Sequence, residues 1–109
     1  MPTIYKEEDM HLGWFVGDFI PSTLKTAACE VAVKRYKRGE AELKHYHKIA
    51  TEVTHIIIGT VLMNGVEYTA GDIIVINPME ETDFKALTDV INAVVKIPSI
   101  KNDKYISTQ

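Results

Sequence analysis

His45 and His47 stand one residue apart, and Glu52 follows five positions after the second histidine. In an extended strand alternate side chains share a face, so the two imidazoles point the same way with Cα atoms roughly 6.6 Å apart, and Tyr46 points the other way. Lys48-Ile49-Ala50-Thr51 is long enough for a tight connection to a neighbouring antiparallel strand, from which Glu52 would face the imidazoles across the pair. Two neutral imidazoles and a carboxylate on one face make a facial ligand set. It suits a divalent transition metal, whether iron, manganese, nickel or zinc, and the absence of thiolates argues against a structural zinc site.

The spacing extends to both sides as Gly39, five residues, His45-x-His47, four residues, Glu52, six residues, Gly59. It resembles the first motif of the cupin superfamily, with every fixed position present. The resemblance covers roughly Val31 to Ile97. It implies an all-β fold, the cupin-type double-stranded β-helix or jelly-roll barrel of antiparallel strands. The second cupin motif runs glycine, five residues, proline, one residue, glycine, two residues, histidine, three residues, asparagine, and its histidine supplies a fourth ligand. Here Gly71 opens the motif, and the later places fall on Asn77, Met79, Thr82 and Ala86. A threonine hydroxyl is a poor ligand at neutral pH. A one-residue bulge would turn Asp83 inward as a replacement carboxylate, leaving Thr82 to contact substrate. The metal ligands implied are therefore His45, His47, Glu52 and Asp83.

An open coordination position permits Lewis-acid polarisation of a carbonyl, activation of water or, with iron(II), binding of dioxygen. The resemblance thus implies a metal-dependent oxygenase or isomerase, or hydrolytic or decarboxylating chemistry on a small polar molecule. Some cupins instead work without metal on nucleotide-linked sugars, as epimerases or 3,4-ketoisomerases. His45 or His47 would then be the catalytic base, Glu52 would orient the ring and Arg35 would bind the diphosphate. A non-catalytic cupin holding a polar metabolite is a third reading. A purely structural trio is the fourth, at the cost of desolvating three ionisable groups on one face.

The chain of 109 residues is long enough for one domain and too short for a second core. Twelve basic against 15 acidic residues give a net charge of −3, which offers no electrostatic case for nucleic acid or an anionic membrane. No run approaches 18 apolar residues, and no basic segment followed by an apolar one opens the chain, so the expected location is cytoplasmic. The single Cys29 excludes an intramolecular disulfide and reads as a buried, inert thiol.

The elements that must position the site are short strands and turns. Residues 1–26 read as an aromatic strap or arm, with Trp14-Phe15-Val16 and Phe19-Ile20 as strand pieces. Residues 27–97 form the barrel and residues 98–109 a polar surface tail. From Ala27 to Tyr36, alternation sets Cys29, Val31 and Val33 on the inner face, with Arg35 following them to the barrel mouth. From Val53 to Ile58, it sets Thr54, Ile56 and Ile58 beside Glu52, with Val53, His55 and Ile57 behind. A strand apolar on both faces is covered on both faces. This favours a homodimer, with His55 in or near the interface. Asn64-Gly65 marks a hairpin, and Ile73–Ile76, Thr82–Leu87 and Val90–Ile97 read as further strands.

Overall fold

The structure, a computed structural model, describes residues 1–108. Eleven strands follow in order: β1 (Trp14–Gly17), β2 (Leu24–Lys25), β3 (Glu30–Tyr36), β4 (Ala41–His47), β5 (Thr51–Ile58), β6 (Thr60–Met63), β7 (Val66–Thr69), β8 (Ile73–Ile76), β9 (Thr82–Ala86), β10 (Val90–Ile97) and β11 (Lys104–Ile106). They form a six-stranded sheet in the order β2-β1-β3-β10-β5-β8 and a five-stranded sheet in the order β11-β4-β9-β6-β7. All pairs are antiparallel except β1 with β2. This is the all-β, double-stranded β-helix architecture that the motif implies. Among the described residues no helix is long and apolar enough to cross a membrane.

Strands β4 and β5 belong to opposite sheets, which corrects the expected pairing between them. The connection between them crosses the sandwich, and Glu52 therefore faces β4 across the interior rather than along a ladder. The crossing is held by Asp103, whose carboxylate accepts from the backbone N–H groups of Lys48 (3.1 Å), Ile49 (3.2 Å) and Ala50 (2.9 Å). Asp103 precedes β11, which pairs with β4, and Tyr105 stacks on Tyr46 with ring centroids 5.5 Å apart. At the expected hairpin, Asn64 and Gly65 both have positive φ (51° and 78°), the conformation that the two-residue turn demands.

Two bulges decide which side chains point inward. Glu42 pairs with Phe84 but His45 pairs with Thr82, so β4 carries one extra residue between them. Leu43 and Lys44 are thrown out to solvent, and Glu42 joins His45 on the interior side despite its opposite parity. On β5, Ile58 pairs with Ile91 and Ile56 with Asn92. The extra residue leaves Ile57 and Ile58 both exposed, which corrects the expectation that Ile58 shares the inner face with Ile56.

The face assigned to β3 is also corrected. Ala32 is fully buried and Lys34 and Tyr36 line the interior, whereas Val33 lies on the outer side under Tyr5, Met10 and Phe15. The alternation is right and its direction is reversed, because the N-terminal segment gives the outer valine its own apolar cover. The main core is a cluster of Ile56, Val61, Met63, Ile76, Phe84, Ala86 and Val90, with Tyr36, Tyr68 and Ile74 against it. Burial of each large aliphatic side chain contributes roughly 1.5–3 kcal/mol. The cluster fills one half of the sandwich and leaves the other half to polar groups.

Candidate functional site

The polar half encloses a cavity of about 180 Å³. The six-stranded sheet supplies Lys34, Tyr36, Glu52, Thr54 and Asn92, and the facing sheet supplies Glu42, His45 and Thr82. The parity of β5 places Glu52 and Thr54 on this wall two steps and one step before the core residue Ile56. On β9, Thr82 opens the wall before Phe84 and Ala86 enter the core.

Glu42 is the electrostatic centre. The Tyr36 hydroxyl donates to it, and the ammonium groups of Lys34 and Lys104 each lie 3.5 Å from it. Burial alone would raise the Glu42 carboxyl, but the tyrosine hydrogen bond and the two cations outweigh it and hold the group below its ordinary range. Burial, followed by the bond to Glu42, pushes the Tyr36 phenol well above its ordinary value, so that its proton is fixed. On the opposite wall the Thr54 hydroxyl donates to Glu52 over 3.1 Å.

His45 is buried, and its Nδ1 lies 2.7 Å from the carbonyl oxygen of Leu43. A carbonyl can only accept, so Nδ1 carries a proton, and in the neutral ring Nε2 keeps the lone pair. The bulge at Leu43 thus both turns His45 inward and sets its tautomer. His47 packs edge-on to His45, with ring centroids 5.5 Å apart. Burial, followed by the charges of Lys96 and His45, pushes its imidazole down to about 4, and its buried Nε2 has no partner.

The structure brings His45, Glu52 and Thr82 to one cavity. His47 lines a neighbouring one with Glu30, Ala50 and Asp103, and Lys96 and Lys104 border both. Asp83 borders the first cavity, but its Oδ1 accepts from the Asn64 N–H over 2.7 Å, and the bulge in this ladder lies on β4 rather than at Asp83. Arg35, expected at the mouth, is exposed on the outer side and pairs with Glu7 at 2.9 Å. That placement corrects the diphosphate contact, and it follows from the reversed face of β3.

The imidazole and carboxylate donors are of the right type for iron, manganese, nickel or zinc, and the orphaned Nε2 of His47 is a free donor. They do not converge: among the described residues no three His, Cys, Asp or Glu side chains are placed to hold one ion. Lys96 stands between Glu30 and Glu52 in the ladder and points its ammonium toward Glu30 at 3.7 Å, adding positive charge where a metal would compete with it.

Tyr36, Glu42, Lys34 and Asn92 are the site residues that sequence reasoning missed. The alternation of Ala32, Lys34 and Tyr36 carried a signal for two of them. Glu42 carried none, because only the bulge turns it inward.

No family model matches the sequence, and comparison with curated proteins finds none similar to it. Solved structures do match. A double-stranded β-helix protein from Klebsiella pneumoniae superposes with a TM-score of 0.70 at 20% identity, covering 80% of this chain and 76% of that one. KdgF from Halomonas sp. gives 0.64 at 18%, covering 71% and 74%. A sugar phosphate isomerase of the cupin superfamily from Silicibacter pomeroyi gives 0.64 at 19%, covering 80% of this chain and 60% of that one. At these identities the likeness is one of fold.

Proposed function

We propose that this chain, which has the double-stranded β-helix fold of the cupins, binds a small hydroxylated carbonyl compound and moves a proton on it, with His45 as the base. The observation that carries the reading is the His45 tautomer. The lone pair of Nε2 is held available inside a cavity where Tyr36 and Lys34 are paired with Glu42 and Thr54 with Glu52. His45 Nε2 would take a proton from the carbon beside the carbonyl. The Lys34 ammonium, already oriented by Glu42, would meet the negative charge that develops on the carbonyl oxygen. Glu52 and Thr82 would orient the ligand. A cavity of about 180 Å³ lies below the roughly 300–1,000 Å³ of drug-sized sites, which favours a compound of a few carbons over a nucleotide-linked sugar.

The test is deuterium exchange at the carbons flanking the ketone of D-xylulose, followed by NMR in heavy water. Wild-type protein is expected to accelerate exchange, and His45→Ala to lose about 100-fold or more of that acceleration. Equal exchange with and without protein excludes His45 as a base toward this class.

A divalent metal is the second reading, favoured by the buried, unpartnered Nε2 of His47. His45, His47 and Glu52, which do not converge here, would have to close around it, and it would supply Lewis-acid polarisation of the carbonyl. Elemental analysis of protein purified without a chelator tests this. About one iron, manganese, nickel or zinc per chain, lost in His47→Ala, supports it, and metal-free wild type after incubation with each ion removes it.

The same reading includes a homodimer. The outer faces of β5, β8 and β10 carry Val53, His55, Ile57, Ile73, Val75 and Val95 with no charged residue among them, and Ile57, Ile73 and Val75 are exposed. A charge-free sheet face matches a second copy of itself. Sedimentation of wild type as a dimer and of Val75→Glu as a monomer is the expected result.

A further inference from the structure

Asn92 is 2% exposed, and its Oδ1 has no hydrogen-bond partner. On β10 it is flanked on its own face by Val90 and Val94, both buried. Ile56 is opposite it on β5, and Lys34 on β3. The aliphatic neighbours would accommodate a leucine of similar size. A carboxamide oxygen left unmet among them is unfavourable unless something outside the protein meets it. Lys34, the nearest donor by register, is turned to Glu42 at 3.5 Å. Asn92 also lines the cavity that holds His45 and Glu52, so its unpartnered carboxamide borders the space where a ligand would lie.

We propose that Asn92 is the specificity-determining residue of this cavity, accepting a hydrogen bond from a ligand hydroxyl. This rests on the small-molecule reading above and narrows it to hydroxy-ketones that keep a hydroxyl at one defined position. A site with a buried, unmatched acceptor rejects analogues that lack the donor far more strongly than an apolar pocket rejects an extra group. Asn92 differs from the other acceptors on the wall: the Glu42 and Glu52 carboxylates and the Thr54 and Thr82 hydroxyls each have a partner within the protein, and the Asn92 oxygen has none.

The experiment uses the full chain and titrates D-xylulose and each of its singly deoxygenated analogues. Binding is read from the fluorescence of Trp14, the single tryptophan and a residue of the cavity wall. One analogue is expected to bind about 100-fold more weakly than D-xylulose to wild-type protein, and the others within a few-fold. Asn92→Leu is expected to fold and to bind D-xylulose and that analogue alike. Asn92→Asp keeps an acceptor beside Lys34 and is expected to retain the discrimination, which an amide acting as donor would not. If Asn92→Leu does not fold, Asn92→Ala takes its place. Discrimination that survives loss of the amide overturns the proposal, as does a wild type indifferent to every deoxygenation, in which case water satisfies Asn92. Binding with discrimination but without deuterium exchange leaves this proposal standing and removes the proton-transfer reading. Failure of D-xylulose to bind at all overturns both.

Discussion

The two halves of the sandwich are made from the same strands and do opposite things. On β5, Glu52 and Thr54 face the cavity and Ile56 faces the core. On β9, Thr82 is followed by Phe84 and Ala86, and on β10 Val90 precedes Asn92. The apolar half gains from every contact it buries. The polar half must satisfy each group individually, which it does through Tyr36 with Glu42, Lys34 with Glu42 and Asp103 with three backbone donors, leaving Asn92 Oδ1 and His47 Nε2 unmet. Apolar burial is therefore concentrated in one half and unmet polar groups in the other.

The sharpest way to break this division is to empty the core. Ile56→Ala, at a position with no exposure, is expected to cost about 2–5 kcal/mol, read as a fall in the urea midpoint. His45→Ala should hardly move that midpoint while it abolishes exchange. Comparable stability losses from both would mean that the halves are not separable.

Next in size is the crossing between sheets. Asp103→Asn removes an acceptor for three N–H groups and is expected to cost about 1–3 kcal/mol. Burial acts to raise the Asp103 carboxyl, but the backbone hydrogen bonds of Ala50, Lys48 and Ile49 prevail and hold it below its ordinary value. An acid with a depressed native pKa binds fewer protons folded than unfolded, so its contribution is present above the unfolded pKa and is lost as pH falls through the native one. The wild type should lose stability on acidification below about pH 4, and Asp103→Asn should lose less.

A smaller test of the same sign concerns His47. Its imidazole titrates at about 4 in the folded protein, against an ordinary 6.5. Between those values the unfolded chain binds the extra proton, so stability rises with pH across this window and His47→Gln should flatten the rise. An NMR titration placing His47 near 6.5 would remove the effect. Smallest is Arg35→Ala: the exposed pair with Glu7 lies outside both halves, and neither the melting temperature nor binding of D-xylulose should change.

How much was legible from the sequence varies residue by residue. His45 and Glu52 were placed inside because the two-residue period survives locally on each strand. Asn64-Gly65 was placed in its turn because few other residues adopt two successive positive φ angles. Arg35 was assigned to the wrong face because apolar alternation marks a covered face without saying what covers it. Glu42 and Ile58 were hidden by bulges, and a single inserted residue inverts parity without any signature in composition.

What the sequence determined by itself is most of the strands and turns and the histidine and glutamate positions along them, since these follow from short-range periodicity and turn chemistry; β11 lies in the stretch that read as a surface tail. The tertiary structure alone decided that β4 and β5 lie in opposite sheets, and that Tyr36, Glu42 and Asn92 share a wall with His45. It also decided that His47 turns toward a neighbouring cavity. The physical reason is that pairing between distant strands, and the bulges that adjust it, are fixed by how two whole sheets pack, and no local window of the chain contains that information.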